Sequence, residues 1–422
     1  MVDKMIKAIQ QYSIPVTNFK NDLDPLVTAI TNQKYILLGE SSHGTSEFYK
    51  MRAELTKRLI IEKDFTFIAV EGDWPACQQV NSYIKGYSNE YNNARDVLAS
   101  FKRWPTWMWA NEEIIDLIEW LKKFNQGKPN EKKVGFYGID IYSLWESMDE
   151  ILKYLEKRNS PDLEVARKAF TCFEPFNREA EKYALSSSFY NEGCHEEVIQ
   201  LLAELMANKH AYQDLQESSL NLEVNALIMT NAENYYTTMM TNDNESWNIR
   251  DRHMVEVIRK IDTFYHHLSK GIIWEHNTHV GDARATDMAN EGLVNVGQLI
   301  REEIGTENVF IVGFGTHHGT VIAASEWGLD FERMNTPPAV AGSWEDLLYK
   351  AGAYDKILVF TEKNSNLFKK ELGHRAIGVV YNPQYEHYGN YVPSVISERY
   401  DAFVFINNTK ALTPLEVTGV LI

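Results

Sequence analysis

One pattern, met three times in the first third of the chain, constrains the fold more than any other feature. A short apolar run of β type ends in a carboxylate or glycine turn, and a helix-like pattern follows. It is seen first at Tyr35-Ile36-Leu37-Leu38-Gly39-Glu40-Ser41-Ser42-His43-Gly44-Thr45, and again at Phe67-Ile68-Ala69-Val70-Glu71-Gly72-Asp73-Trp74-Pro75. The third copy is Val134-Gly135-Phe136-Tyr137-Gly138-Ile139-Asp140. Short continuous apolar runs bounded by turn residues read as buried strands, and strands alternating with helices favour parallel pairing. In such sheets ligands sit beyond the carboxyl ends of the strands. Glu40, His43, Glu71 and Asp73 are thereby expected on one rim.

The rhythm continues outside this third. Helical spacing is read over Met5–Tyr12, Asp24–Thr31, Ser46–Lys63, the stretch to about Lys85, and Asn111–Phe124. From about Ser143 to His267 strand runs vanish, and long helical patterns occupy Leu144–Arg158, Glu196–Gln216, Leu220–Met240 and Trp247–Leu268. Strands return at Gly271–His279, whose end is crowded with polar groups, and from Val309, with a helix expected over Val321–Trp327. Ile357–Phe360, Ile377–Tyr381 and Phe403–Ile406 complete about eight strand candidates. The last ones lie too close for long crossover helices. The expected architecture is α/β: a mixed, mostly parallel central sheet flanked by helices, with a helical insertion framing a large cleft. The expected parts are residues 1–142 and 269–422 as two pieces of the α/β core and residues 143–268 as a helical insertion or lid.

Composition excludes some classes. A net charge of −17 argues against a nucleic-acid partner, because phosphate binding needs a basic face. No run of about 18 apolar residues exists, so no membrane partner is expected. Three cysteines, odd in number and without C-x-x-C spacing, read as reduced thiols of a cytoplasmic protein. The 422-residue chain carries ten Trp and 22 Tyr. Three of the Trp fall in Trp104-Pro105-Thr106-Trp107-Met108-Trp109, either a core staple or the wall of a cleft for a bulky apolar ligand.

Familiar catalytic signatures are missing: no G-x-S-x-G elbow, no H-E-x-x-H, no phosphate loop. Histidines and carboxylates at strand ends remain, and two readings use the same atoms. In one, His43 is a general base oriented by Glu40 or Glu71, while His276 and Arg52 polarise a carbonyl or hold an oxyanion. In the other, the cluster binds zinc, manganese or iron. His276 and His279 would then be joint ligands only if the local backbone turned them to one side.

The chain also resembles a known family. Gly39-Glu40-x-x-His43-Gly44, Val70-Glu71-Gly72-Asp73, Arg250-Asp251-x-x-Met254 and Trp274-x-His276-Asn277-x-His279-Val280-Gly281-Asp282-Ala283-Arg284 occur in its order. Asn295-x-Gly297-Gln298-Leu299, Gly319-Thr320-Val321, the Arg375–Tyr381 strand, and Asn390-Tyr391 with Arg399-Tyr400-Asp401-Ala402-Phe403 follow. Together they resemble the erythromycin esterase family, whose relatives are often labelled succinoglycan biosynthesis proteins. The resemblance implies a hydrolase that opens macrolide lactones with activated water, with no cofactor, no required metal and no covalent serine intermediate. It implies His43 as general base supported by Glu40, Arg52, Glu71 and His276. The chain departs from the family pattern at His317-His318 and at His387, which are expected in the pocket. Asp73, Trp104, Trp107, His279, His318 and His387 are the candidate substrate contacts. The expected partner is a small-molecule substrate, a bulky ester or lactone. A metal-dependent hydrolase and a non-catalytic saccharide-binding protein of envelope polysaccharide synthesis are the rival readings.

Overall fold

Alternate residues of each short strand feed opposite hydrophobic layers, and this builds the molecule. In the computed structural model, which describes residues 2–190, 193–212 and 217–420, Ile36 and Leu38 of the strand Tyr35–Leu38 pack into one layer. Tyr35 and Leu37 pack into the other. The period of two is that of a strand buried on both faces. Helices Ser46–Lys63 and Glu112–Asn125 cover the first face, and Ser218–Met239 and Asp243–Phe264 cover the second.

We label the strands β1 (Ser13–Pro15), β2 (Tyr35–Leu38), β3 (Phe67–Asp73), β4 (Gly135–Asp140), β5 (Gly271–Trp274), β6 (Val309–Ala324), β7 (Phe331–Thr336), β8 (Lys356–Val359), β9 (Glu371–Arg375), β10 (Tyr391–Val395) and β11 (Ala402–Thr409). Among the described residues nine form one sheet in the order β1-β8-β11-β6-β2-β5-β3-β4, with β7 paired to β6. From β11 to β4 every neighbour pair is parallel, whereas β1, β7 and β8 join antiparallel. β9 and β10 form a separate hairpin-like sheet. The chain is thus α/β with a mixed, mostly parallel sheet.

The pattern fails at two places. No helix forms over Val321–Trp327: β6 runs on to Ala324, and its β-branched Thr320, Val321 and Ile322 pair with Asn335, Met334 and Arg333 of β7. Ile377–Tyr381 is not a strand. It is held by single bridges, Ile377 to Ser42 and Val380 to Ala324, and so borders the His43 turn.

A third hydrophobic cluster belongs to the helices between Leu144 and Met239 and includes Ile151, Phe170, Leu201 and Tyr236. The expected helix Glu196–Gln216 appears as His195–Ala207 and a short turn Lys209–Tyr212; residues 213–216 lie outside the described ones. In this layer Cys172 and Cys194 form a disulfide, and Cys77 alone is a buried free thiol. This corrects the reading of three reduced cysteines. The pair is separated by 22 residues and meets because the helices Leu163–Thr171 and His195–Ala207 pack side by side, which spacing alone does not reveal. It also removes the thiol argument for a cytoplasmic location. Among the described residues no helix is long and apolar enough to cross a membrane.

Candidate active site

The parallel order β2-β5-β3-β4 brings four strand ends side by side, and each carries ionisable groups. β2 leads into Glu40 and His43, β3 ends in Glu71 and Asp73, β4 in Asp140, and β5 runs into Glu275 and His276. Glycines allow the strand ends to close up. A Cβ on Gly39 would lie 2.1 Å from the Asn277 side-chain oxygen, and one on Gly72 would lie 2.8 Å from the Trp109 indole nitrogen. The chain after His276 coils into a single helical turn, Asn277–Val280, and this turns His276 and His279 to one side.

His43 is 6 % exposed and its Nδ1–H donates to Glu40 Oε1 at 2.9 Å. The bond leaves the Nε2 lone pair free to accept a proton, 4.0 Å from Glu71 Oε1. Arg52 Nη2 donates to the other Glu40 oxygen at 2.5 Å. The Arg52 guanidinium is packed against the Tyr49 and Trp274 rings, 4.6 Å from each. A bond from a charged, ring-packed arginine fixes the carboxylate that fixes the imidazole. Burial by itself lowers the His43 pKa, but the charges of Glu71 and Glu40 outweigh it and hold the ring above its ordinary value.

Glu71 is the hub. Its Oε1 accepts from Arg250 Nη2 at 2.7 Å and its Oε2 from the His276 backbone N–H at 2.8 Å. Burial opposes its charge, yet His279, His43 and Arg250 hold it well below the usual carboxylate range. Arg250 also grips Asp140 through Nε (2.9 Å) and Nη2 (2.8 Å) and donates from Nη1 to His279 Nε2 at 2.9 Å. That fixes the His279 tautomer: its proton is on Nδ1, which faces both Asp251 oxygens at 3.0 Å. The ring stacks on Trp247, centroids 4.6 Å apart.

His276 lies 4.9 Å, ring to ring, from His43. Burial and the adjacent His43 push its pKa well below the ordinary value, so it is neutral. Its Nδ1 accepts from the Thr278 N–H at 3.3 Å, which leaves the proton on Nε2.

Glu275, wholly buried, is a different case. Neither carboxylate oxygen has a hydrogen-bond partner among the described residues. Burial, with Glu71 and Asp251 nearby, pushes its pKa well above the usual range. Folded, it is a neutral acid over a pH interval in which the unfolded chain has ionised it. Stability contributed by this group is therefore present below its unfolded pKa and is lost as pH rises toward the folded one, by at most about 1.4 kcal/mol per pH unit. Glu275→Gln is expected to flatten this fall, so that in urea unfolding the variant gains on wild type as pH rises above the unfolded carboxylate range. Parallel curves for the two proteins would show Glu275 to be ionised in the fold.

The cleft encloses about 380 Å³ and is lined by His43, Glu71, Asp73, Asp140, Arg250, His276 and His279, with Phe101, Met108, Trp109, Tyr142, Trp247 and Trp327 among the apolar groups. Glu40 and Arg52 stand behind His43, 2 % and 1 % exposed. Arg52 therefore holds Glu40 and does not reach a substrate carbonyl, contrary to the reading that gave it an oxyanion. The Trp pair expected in the wall is not there: Trp107 is in the core, and Trp104 touches the cleft only through Trp327, 4.5 Å away. Trp109 lines it instead. His318 pairs with His317 (2.9 Å) and His387 is an exposed residue leaning on Tyr388; neither lines the cleft. Sequence reasoning left out Arg250, Asp140, Asp251 and Glu275. Arg250-Asp251 stood in a family-like motif, and Asp140 closed the third strand run. Nothing in the spacing joined the two.

Among the described residues no group of three or more His, Cys, Asp or Glu is arranged to hold a metal ion. Both nitrogens of His279 are committed, and the space between Glu71 and Asp140 holds the Arg250 guanidinium.

Fold and site define an α/β protein whose strand ends carry a buried histidine–carboxylate–arginine centre open to an aromatic cleft. The chain belongs to the erythromycin esterase family, whose profile matches residues 60–409. Membership supports a hydrolase function. The chain is 20% identical over 428 residues to a Bacillus subtilis (strain 168) protein named "Putative hydrolase YbfO", covering 95% of this chain and 90% of that one. A shorter stretch of 121 residues, 29% of this chain and 26% of the relative, is 30% identical to an Escherichia coli erythromycin esterase type II. The fold is shared with a crystal structure named as a succinoglycan biosynthesis protein, at TM-score 0.75 and 22% identity over 97% of this chain and 98% of that one.

Proposed function

We propose that the protein hydrolyses an ester or lactone by general-base activation of water. The observation that carries this is the fixed His43 tautomer: Glu40 accepts from Nδ1 at 2.9 Å and Nε2 faces the cleft. A water placed between Nε2 and the substrate carbonyl gives its proton to Nε2, and its oxygen bonds to the carbonyl carbon. The π pair moves to oxygen. Arg250, which lines the cleft beside His43, is the donor available to that oxyanion, whereas the Nε2 of His276 is buried. Collapse expels the alkoxide, which takes the proton back from His43. Ester and water become acid and alcohol, and the imidazole is restored. Glu40 and Glu71 favour the transient imidazolium, as the raised His43 pKa reflects. The step needs no nucleophilic side chain, in keeping with the missing serine elbow.

The test is a mass-spectrometric assay on macrolides, simple aryl esters and acylated oligosaccharides, each with and without EDTA. The expected result is a product one water (about 18 Da) heavier, or its two fragments, unaffected by EDTA. Loss of turnover with EDTA, restored by a divalent metal, would replace this mechanism with the metal-dependent one. Ligand-induced stabilisation with no product formed would favour the non-catalytic reading.

A further inference from the structure

The cleft has two characters. Its buried end is the charged centre. The rest of its lining includes Phe101, Pro105, Met108, Trp327, Val379 and Val392, whose side chains offer no hydrogen-bonding group except one indole N–H. The charged pair on that side is already engaged: Arg103 donates to both Asp73 oxygens at 2.6 Å and to the Trp104 carbonyl at 3.1 Å. Trp327 is 57 % exposed, at the open end, on the connection between β6 and β7. That connection is not slack. Trp104 is buried beneath Trp327, and its indole N–H donates to the Leu329 carbonyl at 2.8 Å. The fold thus holds a large aromatic ring in water, continuous with the catalytic cleft, although packing the core does not require it there.

Hydroxyls buried against such a wall lose water and find no partners, whereas apolar carbons gain from it. Resting on the ester-hydrolase reading, we infer that Trp327 is a specificity-determining residue, and that the non-reacting body of the substrate seated against it is an apolar, hydroxyl-poor chain or ring and not a sugar. The enclosed volume of about 380 Å³ lies toward the small end for ligand sites. A body larger than this projects past Trp327.

The test separates binding from turnover. Methyl ketones place a carbonyl where the ester carbonyl would be and cannot be hydrolysed. Their dissociation constants are read by ligand-observed NMR titration for 2-butanone, 2-hexanone and 2-octanone, and for cyclohexylpropanone against its C-glucosyl counterpart. In wild type, affinity is expected to rise about three- to fourfold per methylene. Cyclohexylpropanone should bind at least about tenfold tighter than the glucosyl ketone. Trp327→Ala should remove about tenfold from 2-octanone and cyclohexylpropanone and leave 2-butanone unchanged, and Trp327→Phe should restore most of the loss. Equal or tighter binding of the glucosyl ketone, a flat series, or equal weakening of every ketone would overturn the inference. A normal ketone series with no ester turned over would leave the apolar preference of the cleft at Trp327 standing and sink the hydrolase reading instead.

Discussion

Replacing His43 by alanine should cut ester turnover by about 10²–10⁴-fold, the usual contribution of a positioned general base, with little change in unfolding midpoint. The fold should tolerate the loss because Glu40 does not become an unpaired buried charge: Arg52 still holds its second oxygen at 2.5 Å. KM should move less than kcat, since His43 acts on water more than on the substrate's body. The pH profile gives a second reading. Turnover needs the neutral imidazole, and the folded His43 pKa lies above its ordinary 6.5. The acid limb of kcat/KM should therefore fall above pH 6.5 in wild type. Glu71 is the largest of the influences that raise it, so Glu71→Gln should move that limb to lower pH while lowering the plateau. A limb that stays put in Glu71→Gln would mean that another group titrates, and full activity in His43→Ala would end the mechanism.

Much of this centre was legible because strand ends are local. The runs ending at Leu38, Val70 and Asp140 are short, apolar and closed by polar turns, and their parallel pairing puts Glu40, His43, Glu71 and Asp140 on one rim. The helix Ser46–Lys63 shows in its apolar spacing, and it brings Arg52 back over Glu40. Other features depend on contacts that pattern does not encode. β6 extends through the glycines and histidines of Gly313–Gly319 because β11 pairs along it, while the sequence there reads as a strand followed by a turn. The aromatic wall was placed on the wrong residues of one segment: Trp104, Trp107 and Trp109 lie within six positions, and only the short turn Thr106–Met108 decides that Trp109 meets the cleft and Trp107 the core. Arg250 is the clearest case. It sits mid-helix, 110 residues from Asp140 and 179 from Glu71, and only tertiary packing makes it their shared cation.

That sharing makes Arg250 the residue whose loss should cost the most stability. Its guanidinium satisfies Glu71, Asp140 and His279 at 2.7–2.9 Å, and all three are buried. Arg250→Met keeps an unbranched, though shorter, side chain and removes the charge. Two carboxylates are then left facing each other without their cation, and breaking a buried pair in this way costs about 3–5 kcal/mol. Urea unfolding at pH 7 should show that loss. Because Glu71 and Asp140 are both held below their ordinary pKa by Arg250 among other groups, their stabilisation is present above the unfolded carboxylate pKa and is lost as pH falls. In the variant both pKa values rise and one carboxyl takes up a proton, so its deficit against wild type should shrink between pH 7 and pH 5. Asp140→Asn in the Arg250→Met background should recover part of the loss, since it removes one of the two stranded charges, whereas Asp140→Asn alone should destabilise. Additive effects of the two substitutions would show that Arg250 and Asp140 do not act as a pair. Activity separates the two carboxylates: with Glu71 untouched, the double variant keeps the charge beside His43 but loses the donor that fixes the His279 tautomer. If Arg250 also steadies the oxyanion, recovered stability in the double variant should come without recovered kcat.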